Sequence, residues 1–136
     1  MNFKHIDHSL CYLDDKYLFV TGSYLKDDKM HETCERYDIK MDRWAKFPPL
    51  SVGRCHHSSC SVDGRYVFVI CGLIIVRHEY QVVSEEDNGM VIIKEEFHWQ
   101  ATNTIERFDA ANKTAGWVPM NIPDTPLTPR RSPGVL

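Results

Sequence analysis

Apolar residues fall along the chain in short blocks and in alternation, the spacing of strands rather than of helices. Residues 17–21 and 66–70 are nearly all apolar and rich in aromatic and β-branched side chains, as in strands buried on both faces. Each block is preceded by a shorter strand-like stretch, 9–13 and 58–62, and joined to it through Asp14-Asp15 or Asp63-Gly64. Such dipeptides favour the tight turns of two-residue hairpins. Apolar and polar positions alternate at 33–37 and 104–108, which predicts a third strand in each half, and a fourth carries Trp44 or Trp117. No stretch combines i, i+3, i+4 apolar spacing with a Ser, Thr or Asp cap, so no helix is predicted.

The two halves are copies of one another. His8, Ser9, Cys11, Asp14, Tyr17, Phe19 and Val20 recur as His57, Ser58, Cys60, Asp63, Tyr66, Phe68 and Val69, at a constant offset of 49 residues, and Lys16 faces Arg65. Further on, Thr33-Cys34-Glu35-Arg36-Tyr37-Asp38 recurs as Thr104-Ile105-Glu106-Arg107-Phe108-Asp109, at an offset of 71. The second copy therefore holds 22 additional residues between Gly72 and Asn103. After its tryptophan each copy runs through prolines to an arginine: Arg54 in the first, Arg130 or Arg131 in the second.

Four strands per copy of roughly 50 residues is the signature of propeller blades. The landmarks come in a fixed order: apolar strand, glycine pair, Glu-Arg-Tyr/Phe-Asp, tryptophan, proline and arginine. In this order the chain resembles the kelch repeat over roughly residues 8–122. Gly22-Ser23 and Cys71-Gly72 stand where the family carries two glycines, and each keeps one. The resemblance implies an all-β fold of kelch-type β-propeller blades: two four-stranded antiparallel sheets of an incomplete propeller. The blades span 8–50 and 51–122, and 123–136 form a Pro-rich tail that reads as the start of a further blade. Propellers close with about four to eight blades. The chain thus reads as a fragment of a larger propeller, an assembling half or an eroded gene product. Gly22, Glu35, Arg36, Tyr37, Asp38, Trp44 and Arg54 are structural landmarks of the first copy. Gly72, Glu106, Arg107, Phe108, Asp109 and Trp117 are those of the second. The glycines allow sharp turns or close approach, the tryptophans supply contact area between blades, and the Glu and Arg residues form ion pairs or satisfy backbone groups.

Function in repeat proteins tends to reside where copies differ. Here that is the insertion, 73–102, which reads as a strand-like stretch, an acidic turn at 84–89 and a second strand-like stretch. It is expected to form a long hairpin extending strands two and three beyond the blade. Arg77, Tyr80, Glu85, Glu86 and Asp87 are its candidate partner-binding residues. By analogy with the family, the loop lies on a face where partners dock.

Composition narrows the function further. A formal net charge of −3 and no basic cluster beyond Arg130-Arg131 argue against nucleic acid, whose phosphates need grouped cations. The longest apolar run, 66–76, is too short for a membrane helix, and no leader is evident at the start. Five cysteines without a CxxC pair fit reduced thiols in the cytoplasm. Cys55-His56-His57-Ser58-Ser59-Cys60 resembles a zinc cluster, but strand alternation points His57 and Cys60 to opposite faces. No nucleophile elbow, metalloprotease or phosphate-loop motif occurs. The chain is therefore expected to be a non-catalytic protein-binding module without a cofactor, able to self-associate through exposed blade edges. The alternative is a piece of a propeller enzyme of the galactose oxidase or sugar-processing type.

Overall fold

A computed structural model describes residues 1–25, 29–86 and 88–120. Among these the fold is all-β and antiparallel, with one short 3-10 turn at Lys113–Ala115. No helix among them is long and apolar enough to cross a membrane. The first copy forms strands β1 (Ser9–Leu13), β2 (Tyr17–Leu25), β3 (Lys29–Asp38) and β4 (Arg43–Phe47), paired in chain order. The second forms β5 (Ser58–Val62), β6 (Tyr66–Ile70), β7 (Leu73–Ser84), β8 (Met90–Ala101), β9 (Ile105–Asp109) and β10 (Trp117–Met120). Its sheet runs β5-β6-β9-β10, while β7 and β8 form a separate two-stranded sheet. With that hairpin set aside, the two sheets have one topology.

Their registers agree residue by residue. Tyr17 faces Asp38 as Tyr66 faces Asp109, and Trp44 faces Tyr37 as Trp117 faces Phe108. Both first hairpins turn through left-handed residues, Asp14 and Asp15 (φ 53° and 48°) and Asp63 and Gly64 (φ 55° and 58°). This is the backbone that a two-residue turn between twisted strands requires. The degenerate glycine pair is also one structure. Gly22 and Cys71 occupy equivalent positions with φ of 62° and 57°, so the repeat keeps the left-handed bend even where the glycine is gone.

A second equivalence surrounds the buried glutamates. Glu106 accepts the Ser51 N–H and the Arg54 guanidinium, both at 2.7 Å, and Arg54 also donates to the Cys71 carbonyl at 3.0 Å. Glu35 accepts the Asn2 N–H at 2.6 Å and faces the His5 Nε2 at 3.0 Å, while His5 Nδ1 lies 3.1 Å from the Gly22 carbonyl. Asn2, His5 and Gly22 precede Ser51, Arg54 and Cys71 by the same 49 residues that separate the copies. Residues 2–7 thus belong to the first unit, earlier than the boundary at residue 8 expected from sequence. Arg54 serves the second unit although it follows the prolines of the first. Both His5 nitrogens face acceptors, so the ring makes every bond only when it carries two N–H groups, as a guanidinium always can. Burial alone would raise the Glu35 carboxyl. The backbone N–H groups of Asn2 and Phe3, with His5, outweigh it and hold the group below the usual carboxylate range.

Arg54, His5 and backbone N–H groups are the partners of the two glutamates, not the neighbouring Arg36 and Arg107. Those guanidinium groups lie over tyrosine rings instead, Arg36 at 4.4 Å from Tyr17 and Arg107 at 5.0 Å from Tyr66. Strand alternation explains it: Glu and Arg are adjacent in sequence and point to opposite faces of the sheet. Asp109 is instead bound bidentately by Arg65, both contacts at 2.8 Å, which draws its carboxyl down to about 2. Asp38 caps its own turn by accepting the Met41 N–H.

The core lies between the sheets. Cys11, Leu13, Phe19, Cys34 and Phe47 of the first sheet pack against Val67, Val69, Phe108 and Trp117 of the second. Phe47 lies edge-on to Phe108 at 4.5 Å between centroids, and the Trp117 indole N–H donates to the Pro48 carbonyl at 2.8 Å. Trp117 thus sits at the contact between the two sheets. Trp44 packs on Tyr37 of its own sheet, at 5.1 Å, and is half-buried. His57 is also buried between the sheets, with Nε2 2.9 Å from the Thr21 hydroxyl. Its Nδ1 has no partner among the described residues, so protonation there would bury an unpaired cation. Burial first, then the nearby Arg54 charge, pulls its pKa from 6.5 down to about 3.

His57 therefore gives the fold a pH dependence. Between pH 6.5 and about 3 the unfolded chain binds this proton and the folded chain does not. Stability contributed by neutral His57 is complete above pH 6.5 and is lost as pH falls through that window, with a slope of up to about 1.4 kcal/mol per pH unit. Urea unfolding of wild type and His57→Gln at a series of pH values should show two curves that run parallel above pH 7 and converge towards acid.

Candidate functional site

The insertion is a regular ladder from Leu73↔Ala101 to Ser84↔Met90. It does not continue strands two and three of its sheet, as expected from sequence. Cys71 at φ 57° and Gly72 at φ 101° bend the chain between β6 and β7, so the hairpin leaves as a separate two-stranded arm. In the first copy the corresponding bend at Gly22 is only a bulge, and β2 and β3 pair on through Ser23↔His31 to Leu25↔Lys29. The arm is anchored at its base: Cys55 and Leu73 exchange backbone hydrogen bonds at 3.1 and 2.9 Å. The Tyr24 ring of the first copy lies edge-on to Trp99 at 4.9 Å.

Residues opposite one another across an antiparallel ladder share a face. One face of the arm thus carries Ile75, Arg77, Glu79, Glu95, Phe97 and Trp99, and the other Val76, His78, Tyr80, Glu96 and His98. Arg77 pairs with Glu79 and Glu95 on the first face. Tyr80 donates to Glu96 at 3.0 Å on the second, beside His78 and His98, whose rings are 5.3 Å apart. Arg77 and Tyr80 are therefore not brought together. Glu85 and Glu86 are exposed in the connecting turn, and Asp87 lies outside the described residues, as does the tail 123–136.

The sequence reading passed over the apolar residues of the same arm. Phe97 is 60% exposed and Ile93 65%, and Val83, Met90, Val91 and Trp99 are exposed beside them. A two-stranded hairpin is at best marginally stable in water on its own, and grouped exposed apolar side chains mark interaction surfaces. Ile75 and Phe97 line a cleft of about 440 Å³ together with Met30 and Glu32 of β3 and Val52 of the connection between the sheets. Gly53 also lines it. A side chain there would meet the Met30 carbonyl at 2.5 Å, so the glycine lets the connection pass against β3. The volume falls in the range of sites that hold small molecules or anchoring side chains, about 300–1,000 Å³.

The Cys-His cluster does not converge. Cys55 and His57 are buried, Cys60 is exposed, and His56 reaches outward to Asp7 at 3.5 Å. Among the described residues no three His, Cys, Asp or Glu side chains are grouped as metal ligands. Burial raises the thiols of Cys11 and Cys55 to about 11 and that of Cys34 to about 12. These three are therefore protonated at neutral pH and unsuited to nucleophilic attack. A scan against protein-family models and a search of the curated proteins find no match to the chain.

Proposed function

We propose that the chain is a pair of kelch-type propeller blades acting as a non-catalytic module that binds another protein. Its binding surface is the β7–β8 arm and the cleft at its base. The blade reading is supported by two sheets of identical topology and by left-handed residues at the degenerate glycine pair. It is also supported by the repeated cage around Glu35 and Glu106. The binding reading is carried by one observation, the exposed Phe97 and half-buried Ile75 lining an open cleft together with Met30 and Val52. The partner would seat an apolar side chain there and present polar groups to Arg77, Glu79 and Glu95.

Burying a phenylalanine-sized side chain contributes about 1.5–3 kcal/mol, which corresponds to a change in affinity of roughly 10- to 100-fold. Affinity capture with wild type, Phe97→Ser and the exposed control Lys113→Ala tests the proposal. The expected result is a set of proteins retained by wild type and the control and lost with Phe97→Ser. Identical retention by all three contradicts it.

A further inference from the structure

The interface between the sheets joins unlike faces, and the faces left over are the same two. In the first sheet, Cys11, Leu13, Phe19, Cys34 and Phe47 form the face that meets the second sheet. In the second sheet that interface uses the opposite face, carrying Val67, Val69, Phe108 and Trp117. The repeat makes each contact legible at its equivalent position, and burial differs between the copies in the sense of a missing neighbour. Leu13 is 3% exposed and its equivalent Val62 is 42%. Cys11 is buried and Cys60 exposed, while Phe19 is buried and Phe68 only half-buried. On the other face, Phe108 and Trp117 are buried, and their equivalents Tyr37 and Trp44 are half-buried. His57 is buried and His8 is exposed; Leu10 and Tyr12 stand beside it, 51% and 48% exposed.

We infer that two copies of this chain associate head to tail, the outer face of the second sheet in one copy seating on the outer face of the first sheet in the next. The occupant is chosen by continuity with the interface already inside the molecule. A second copy carries both complementary faces, in the register that the internal pair displays. Val62 would take the place that Leu13 holds internally, and Ser58 would meet Leu10 where the internal interface has the Ser9 and Ser59 hydroxyls in contact at 2.6 Å. Phe68 would approach Leu18, Tyr37 and Trp44. Contacts of this unlike-face kind close into rings if the rotation permits and otherwise extend as filaments. This association differs from strand pairing at sheet edges, since it leaves every backbone ladder as it is. Ring closure, in contrast to the stacking itself, rests on the propeller reading; with about four to eight blades per ring, a ring would hold roughly two to four chains.

Sedimentation of the full chain with two single variants tests the inference. Tyr12→Glu alters one outer face and Val62→Glu the other, both at exposed positions, with circular dichroism to verify that each variant keeps its sheets. Wild type should sediment as an assembly of several chains and each variant alone as a monomer. An equimolar mixture of the two variants should form a 1:1 dimer and go no further, because each supplies the face the other lacks. A monomeric wild type overturns the inference. So do variants that assemble as wild type does, or folded variants that fail to combine. Filaments in place of a closed assembly would uphold the stacking and count against the propeller.

Discussion

Replacing Arg54 with methionine is expected to lower the free energy of unfolding by about 3–5 kcal/mol, the cost of leaving a buried carboxylate without its cation. Both members of the pair are 1% exposed, and their contact is 2.7 Å. The guanidinium also donates to the carbonyls of Cys71 and Thr104, so the substitution removes three hydrogen bonds at once. A small domain has only about 5–15 kcal/mol in total, and the variant should therefore unfold at a fraction of the wild-type urea concentration. The double variant Arg54→Met with Glu106→Met removes the orphaned charge as well. It should recover part of the loss, the remainder reflecting the bonds that the Ser51 N–H and the two carbonyls no longer make. Equilibrium urea unfolding of the three proteins measures this; a single variant within 1 kcal/mol of wild type, by order of magnitude, would refute the role given to the pair.

Gly22→Ala should destabilise by about 2–5 kcal/mol. The backbone there is left-handed, φ 62°, which costs an L residue about 1–2 kcal/mol. An added Cβ would also stand 2.4 Å from the Arg54 carbonyl and 2.7 Å from the His57 ring. Overpacking of this kind adds about 1–3 kcal/mol. The obstacle is backbone of the connection to the second sheet, so relief requires the sheets to separate. The expected result is a lowered thermal midpoint together with faster amide exchange in β2 and in 53–57. Cys71 shows that a side chain can accompany the same φ, so a mild effect of Gly22→Ala would mean the connection yields more easily than its geometry indicates.

Much of the fold was legible because the signals were local. The Asp14-Asp15 and Asp63-Gly64 turns fix the first hairpin of each sheet, and both β1 and β5 fall on the stretches expected before those turns. Duplication supplied the rest, since landmarks in one copy locate strands in the other. What stayed hidden depended on contacts between distant residues. His5 and Arg54 do one job but share no residue type, so residues 2–7 did not align with 51–56. The separation of the β7–β8 arm from its sheet turns on the φ of Cys71, and a cysteine does not announce a left-handed bend as glycine does. The cleft joins Met30, Val52, Ile75 and Phe97, which no local pattern brings together. Charged residues of the insertion drew attention as binding groups. The alternation that places Val91, Ile93, Phe97 and Trp99 on one face was present in the sequence as well.

The unlike-face stacking of two equivalent sheets is tested most directly by nuclear Overhauser contacts of the Phe47 ring. It lies on the inner face of the first sheet, 4.5 Å from Phe108 and 6.3 Å from Trp117 between centroids. Cross-peaks from Phe47 to both Phe108 and Trp117, with none to Trp44, are the expected result. Cross-peaks from Phe47 to the Phe68 side of the second sheet, or none to that sheet at all, would contradict it.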